Sequence, residues 1–156
     1  MTQNNVKDTD RIEIKKIYYP SGDPWYETPY VNGKEHGTEK MYYKSGALDK
    51  ETPYVNGKKH GIERWYYESG VVSQETPYVN RKIHGLVKNF YPSGALWWET
   101  PCVNGKMHGI TRFYSESGTL KREVPYVNDK EHGIEKEYYN SGSLRSETSY
   151  RNRKNG

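Results

Sequence analysis

The sequence is short of the residues from which a thick protein core is normally built. Only 32% of its 156 residues are hydrophobic, which is low for a globular domain. A poor apolar content can indicate disorder, but the chain has 16 tyrosines and 4 tryptophans, and disordered chains are poor in aromatic residues. We therefore expect a thin structure in which aromatic rings supply most of the buried area and their polar ends reach water.

Cysteine, long apolar runs and blocks of one charge are also scarce. The single cysteine, Cys102, rules out an intramolecular disulfide framework and fits a reducing, cytoplasmic location. Residues 1–10 are polar and are predicted to form a flexible segment, with no secretory signal or membrane span expected. The 24 basic and 20 acidic residues are mixed along the chain, which disfavours binding to nucleic acid.

A period of 24 residues runs through the chain. Ser-Gly recurs at this spacing from Ser21-Gly22 to Ser141-Gly142, and His-Gly recurs from His36-Gly37 to His132-Gly133. A fixed period without insertions is typical of repeat proteins, in which each unit contacts mainly its neighbours. We place a repeat domain at 11–156, with units near 14–37, 38–61, 62–85, 86–109, 110–133 and 134–156.

Each unit has the pattern of two strands and two turns. Runs rich in Tyr, Thr, Val and Ile, such as 62–67 and 72–79, are separated by turn residues, which is the pattern of hairpins. The Ser-Gly turn is predicted to be a type I turn that ends on a glycine with positive φ, and Asn-Gly predicts a type I′ hairpin. Asn80-Arg81, Asn128-Asp129 and Asn152-Arg153 lack that glycine, so we expect looser or differently built turns there. The predicted fold is all-β: an elongated, single-layer, twisted antiparallel meander of tandem 24-residue β-hairpin repeats.

Two columns of opposite charge suggest the strand register. With Lys40 opposite Glu51, every unit has a cross-strand ion pair. A shift by one residue would place Glu39 opposite Glu51, and like charges directly opposite are unfavourable. We therefore prefer the first register.

Four aromatic and aliphatic columns recur beside the charges. Their members lie at even spacing along the strands, so we expect them to share one face and to lock repeat to repeat. In the third unit these columns are represented by Ile62, Tyr66, Val72 and Tyr78.

The unit resembles the MORN repeat (membrane occupation and recognition nexus), in the bacterial variant with Tyr-Tyr-x-x-Gly and Asn-Gly-Lys-x-x-Gly. Residues 42–61 carry both motifs, and the resemblance covers roughly 12–156. It implies hairpins stacked into an elongated twisted sheet, a binding role and no catalysis. Some bacterial members are labelled antitoxin or immunity proteins, and MORN proteins have also been linked to phospholipids and to protein scaffolding.

No catalytic, metal or cofactor residue is predicted, and the chain is expected not to be an enzyme. Histidines in neighbouring repeats, such as His36 and His60, should lie about 10 Å apart. That separation is too large for them to share a zinc ion, whose bonds to nitrogen are about 2 Å long. The sequence has no nucleophile motif and no phosphate-binding or dinucleotide-binding loop.

Functional residues are expected where the units differ, since the shared columns are explained by folding. Large apolar side chains at variable positions predict an aromatic contact surface. A competing interpretation is that they only cover the second face of a thin sheet. The predicted partner-binding residues are Trp25, Met41, Trp65, Tyr91, Trp97, Trp98 and Phe113.

The predicted partner is another protein, such as the target of an antitoxin, immunity or inhibitor protein. The alternatives are self-assembly, in which copies pair face to face or end to end as a homodimer or scaffold, and weak association with an anionic lipid surface. The charged first strand, which begins at Arg11, is expected to guard the sheet against edge-to-edge pairing. At the other end, the same is expected of Arg151, Asn152, Arg153 and Lys154.

Overall fold

The structure, a computed structural model, describes residues 11–150, which form one antiparallel sheet and contain no helix. The predicted flexible segment 1–10 and the part of the repeat domain after residue 150 lie outside the described residues. The long strands are β1 (Ile12–Tyr18), β2 (Pro24–Val31), β4 (Gly37–Tyr42), β5 (Leu48–Val55), β7 (Gly61–Tyr66), β8 (Val72–Val79), β10 (Gly85–Phe90), β11 (Leu96–Val103), β13 (Gly109–Tyr114), β14 (Leu120–Val127), β16 (Gly133–Tyr138) and β17 (Leu144–Tyr150). The two-residue strands are β3 (Lys34–Glu35), β6 (Lys58–Lys59), β9 (Lys82–Ile83), β12 (Lys106–Met107) and β15 (Lys130–Glu131).

The long strands follow one another through the sheet in chain order, each antiparallel to its neighbours. Hairpins join β1 to β2, β4 to β5, β7 to β8, β10 to β11, β13 to β14 and β16 to β17. Successive repeats are joined by the pairs β2–β4, β5–β7, β8–β10, β11–β13 and β14–β16, which we call the repeat joints. The predicted all-β meander of tandem hairpins is confirmed.

The Ser-Gly turns have the predicted geometry. In the third repeat the Gly70 amide donates a hydrogen bond to the Tyr67 carbonyl at 2.8 Å, and Gly70 has a φ of 85°. This is a type I turn that closes on a glycine in the left-handed region, where other residues are strained.

The expectation of looser or differently built turns was wrong at Asn80-Arg81 and Asn128-Asp129, while Asn152-Arg153 lies outside the described residues. Arg81 and Asp129 have φ values of 71° and 67°, close to the 73° of Gly57 in an Asn-Gly turn. The reason lies in the neighbouring repeat: the amides of Arg81 and Asp129 donate to the carbonyls of Lys59 and Met107 at 2.9 and 3.0 Å. The Gly57 amide makes the equivalent bond one repeat earlier. Contact between hairpins therefore holds these turns in the same shape whatever the side chain.

The predicted charge register is confirmed, and it extends beyond single hairpins. Lys40 lies opposite Glu51 within a hairpin, and Glu51 lies opposite Arg64 across a repeat joint. A continuous row of alternating charge, which we call the charge ladder, therefore crosses every long strand. Its members are Lys16, Glu27, Lys40, Glu51, Arg64, Glu75, Lys88, Glu99, Arg112, Glu123, Lys136 and Glu147.

The sequence predicted that the four apolar columns share one face, and this prediction was wrong. Because side chains alternate between faces along a strand, Tyr66 and Ile62 lie on the same face as Arg64, which we call the ladder face. Tyr66 donates to ladder residue Glu51 at 2.8 Å, and Ile62 is 42% exposed. Tyr78 lies on the opposite face, where its ring contacts Lys59. The register that aligns the charges is what separates these columns.

The buried residues among those described all lie on the face opposite the ladder, which we call the buried face. Thr52 is completely buried and donates to Glu63, which is itself buried, at 3.0 Å. Thr100 and Thr111 share a hydrogen bond of 2.6 Å in the same row. The buried residues are Thr52, Glu63, Thr76, Val87, Thr100, Cys102, Thr111, Val124 and Glu135. The core is thus one narrow row, largely polar, and it is held by hydrogen bonds as well as by apolar contact.

Each repeat joint also packs a proline against a glycine. A Cβ atom added to Gly109 would lie 2.6 Å from Cγ of Pro101 on the preceding repeat. Real Cβ atoms do not approach carbon so closely, and Gly109 has a φ of 122°. The glycine after each histidine therefore permits close contact between repeats.

We predict that Gly109→Ala lowers stability more than Gly118→Ala. Both glycines have positive φ, but Cβ at Gly118 would meet nothing within 4 Å. The left-handed backbone should cost about 1–2 kcal/mol in each variant, and the clash with Pro101 should add about 1–3 kcal/mol at Gly109. Urea unfolding followed by circular dichroism measures the two midpoints, and equal losses would show that the proline contact does not constrain the joint.

Candidate functional site

Two of the columns in which the units differ form one straight row on the buried face. Neighbours in this row are paired directly across each hairpin and each repeat joint. We call it the variable row. In strand order it contains Ile17, Tyr26, Met41, Lys50, Trp65, Gln74, Asn89, Trp98, Phe113, Arg122, Glu137 and Ser146.

Large aromatic rings occupy the centre of the variable row, with cations beside them. Trp98 lies directly opposite Phe113 across a repeat joint. The Lys50 Nζ atom lies 4.7 Å from the centroid of the Trp65 ring, and the Arg122 guanidinium carbon lies 5.8 Å from that of Phe113. These are cation–π distances, so the rings and cations are held together before any partner binds.

Two amides separate the tryptophans. Gln74 and Asn89 are paired with each other between Trp65 and Trp98, which places the two tryptophans three strand spacings, or about 14 Å, apart. Gln74 donates to Thr76 of the buried row at 2.9 Å. The Nδ2 atom of Asn89 is buried and has no hydrogen-bond partner. Two polar side chains therefore lie between the two tryptophans along the variable row.

Buried carboxylates support the row from the adjacent position along the strands. Glu63 accepts hydrogen bonds from Lys59 Nζ at 2.5 Å and from Trp65 Nε1 at 3.3 Å. Glu135 accepts from Arg122 Nε and from the Tyr150 hydroxyl. The hydrogen bond from Arg122 outweighs burial and lowers the pKa of Glu135 below its ordinary value of 4.5. Two residues of the variable row, Trp65 and Arg122, are thus held in place by hydrogen bonds to Glu63 and Glu135, which lie beside the row on the same face.

The residues predicted to bind a partner fall into two sets. Met41, Trp65, Trp98 and Phe113 lie together in the variable row and are half-buried. The others lie at the edge formed by the Ser-Gly turns: Trp25 stacks on Tyr19 with ring centroids 5.5 Å apart, and Trp97 lies 5.8 Å from Tyr91. Trp25 and Trp97 are 40% and 47% exposed, and three repeats, or about 30 Å, separate them.

Sequence reasoning missed a row of tyrosine contacts along that edge. Each of four tyrosine hydroxyls donates to a backbone carbonyl in the next repeat, at 2.6–2.9 Å. The Tyr-Tyr doublet was the available signal, and Ser115 interrupts it; Ser115 instead accepts a bond from the Thr119 amide. The donors are Tyr19, Tyr43, Tyr67 and Tyr91, and the acceptors are the carbonyls of Tyr42, Tyr66, Phe90 and Tyr114. Tyr91 is therefore tied to the fold as well as placed beside Trp97.

The titratable groups of the described residues act mainly as hydrogen-bonding groups within the fold. Burial and the hydrogen bond to Glu51 raise the pKa of Tyr66 to about 12, and burial raises that of Tyr54 to about 12.

The backbone amide of His36 donates to the Pro29 carbonyl at 2.9 Å. Within residues 11–150 no group of three or more His, Cys, Asp or Glu side chains is placed to hold a metal ion.

Comparison with protein families matches this geometry to a known repeat. The sequence profile of the MORN repeat variant matches residues 14–32, 35–56, 59–80, 107–128 and 131–152. The chain belongs to the MORN repeat variant family. MORN repeats are generally binding modules and not catalysts. No curated protein matches the chain.

The segment between the third and fourth MORN matches has the same structure as the matched repeats. Residues 81–106 escape the profile, yet β9, β10 and β11 lie there and pair in the common register. This segment contains Arg81 and Cys102, which depart from the shared columns, and the variable residues Asn89, Trp97 and Trp98. Within residues 11–150 no helix is long and apolar enough to span a bilayer.

We predict that Glu135→Gln lowers stability at neutral pH by about 1–2 kcal/mol. The loss is modest because Arg122 is partly exposed and its charge is screened. A lowered folded-state pKa contributes stability above the unfolded value near 4.5, and this stability disappears as pH falls through the folded value. The difference in thermal midpoint between wild type and variant should therefore shrink below about pH 4.5. Glu116→Gln, on an exposed turn, is the control, and a difference that grows in acid would contradict the assignment.

Proposed function

We propose that this MORN repeat protein acts without catalysis by binding another protein through the variable row. The observation that carries the proposal is the direct pairing of Trp98 with Phe113 in a row that also holds Trp65, Lys50 and Arg122. Tryptophan and arginine are the residues most enriched among those that dominate binding energy at protein interfaces. Their rotamers are already restricted by the cation–π contacts and by Glu63 and Glu135, which lowers the entropy lost on binding.

The proposed partner is a protein rather than a membrane. Within the charge ladder every Lys or Arg is opposite a Glu, as in the pair Arg64 and Glu75 with 2.9 Å between Nε and Oε1. Such pairs leave little field to attract anionic lipid. A toxin bound and neutralised in a bacterial cell would be the partner if the chain is an antitoxin or immunity protein.

The test begins with capture of a partner by the tagged wild-type chain, followed by titration of that partner against variants. Trp65→Ala and Trp98→Ala should each weaken binding roughly 30-fold, the effect of losing about 2 kcal/mol at an interface. Trp25→Ala and Trp97→Ala, which change exposed tryptophans outside the row, are the matched controls and should retain affinity. Thermal midpoints confirm that each variant is folded.

Equal affinity of all four variants would remove the variable row from the interface. Loss of affinity only in the Trp25 and Trp97 variants would move the interface to the edge of the Ser-Gly turns. For a toxin partner, the wild-type chain should relieve growth arrest on co-expression, and Trp65→Ala should relieve it less.

A further inference from the structure

The two end strands of the sheet expose the two halves of a repeat joint. β1 occupies the same place in its repeat as β4. One edge of β4 pairs with β5 in a hairpin and the other pairs with β2 across a repeat joint, and the edge of β1 equivalent to this second edge has no partner among the described residues. Likewise, β17 occupies the place of β14, which pairs with β13 in a hairpin and with β16 across a repeat joint. Within residues 11–150, each end therefore carries one side of the contact that joins repeats inside the molecule.

The charges at these two ends are opposite in sign and in register. Lys16 begins the charge ladder on β1 and Glu147 ends it on β17, with side chains 43% and 47% exposed. Inside the molecule the equivalent residues are Lys40 and Glu27, which lie directly opposite each other across the first repeat joint. Placing β17 beside β1 of another molecule would therefore continue the ladder without a break.

We propose that copies of this chain associate head to tail, with β17 of one copy pairing antiparallel to β1 of the next. Glu147 lies opposite Lys16 of the next copy, and Ser146 lies opposite Ile17. The contact joins different surfaces of the two copies, so each copy can bind two others, and the assembly grows into chains or closes into a ring rather than stopping at a dimer. This inference concerns the sheet edges and does not depend on the variable row binding a partner protein.

Side chains at the two ends differ from the interior joints in a compensating way. Interior joints pack proline on glycine, as Pro29 does on Gly37, where a Cβ atom would lie 3.2 Å from the proline ring. At the ends, Glu13 stands at the glycine position and Ser149 at the proline position. Because Ser149 has no proline ring, the proposed contact between β17 and β1 has room for the Cβ atom of Glu13. Ile12, Ile14, Ile17 and Tyr18 are all more than half exposed on β1, and pairing would cover part of this apolar surface.

Identical ends place like charges opposite each other in their centred registers. Two β1 strands paired antiparallel about a point between Lys15 and Lys16 would place Lys15 opposite Lys16 of the other copy, and two β17 strands centred on Glu147 would place the two carboxylates opposite each other. Like charges directly opposite destabilise a strand pair. The charged first strand expected from the sequence to prevent pairing thus disfavours these β1–β1 contacts and permits the pairing of β1 with β17, while residues 151–154 at the other end lie outside the described residues.

Cysteine cross-linking tests the proposed register. The double variant Ile17→Cys with Ser146→Cys should form intermolecular disulfides on oxidation, because directly opposed residues have Cα atoms about 4.5–5.5 Å apart, which is within the range that a disulfide spans. Dimers, trimers and larger species should appear on a non-reducing gel and increase with chain concentration. In Ile17→Cys with Ser149→Cys, the two cysteines would face opposite sides of the sheet, so this variant should form far fewer. Cys102 is buried and is present in every variant.

An intrachain control shows whether this geometry permits a disulfide. Tyr26→Cys with Met41→Cys places cysteines at the equivalent pair of the first repeat joint and should oxidise within one chain. If it does, and the Ile17 and Ser146 pair yields no more multimers than the off-register pair at the highest soluble concentration, the proposal is wrong. Efficient dimerisation of either single variant, Ile17→Cys or Ser146→Cys, would overturn it in favour of pairing between identical ends.

Discussion

The antiparallel register of the charge ladder is the constraint on which the rest of this sheet depends. Each Glu of the ladder from Glu27 to Glu123 is opposed by a Lys or Arg on both sides, so a slip by one residue would replace attraction with contacts between carboxylates at several joints. Because side chains alternate with a period of two, such a slip would also turn every side chain to the other face. The exposed ion pairs contribute little energy individually, but together they select one register.

That register produces a thin sheet whose cohesion is largely polar. The buried row includes Thr52, Glu63 and Thr100, and tyrosine hydroxyls bond to carbonyls of the next repeat along one edge. A single layer has no second sheet or helix to cover an apolar face. Hydrogen bonds between neighbouring repeats supply the cohesion that a second layer would give. The free energy of unfolding is therefore approximately a sum of contributions from the repeats and from the joints between them.

Strands, turns and register were predictable because they depend on neighbours in sequence and on a period visible in one chain. The glycine of the Ser-Gly turn and the pairing of Lys40 with Glu51 are local in this sense. The turn at Arg81 was not predictable, because its positive φ is held by a bond to the Lys59 carbonyl, a contact between hairpins. For the candidate site, Trp65, Trp98 and Phe113 were named from their variability, but their alignment in one row required the observed pairing.

The repeated amino acids alone determined the hairpins, their number and order, and the partners of the charged residues, since each follows from turn chemistry and from the cost of opposing like charges. Only the tertiary structure decided which face buries its side chains and that Tyr78 and Tyr66 lie on opposite faces. It also brought the hydroxyl of Tyr67 to a carbonyl of the next repeat. These outcomes depend on how one hairpin lies against another, and that packing brings together residues about 24 positions apart.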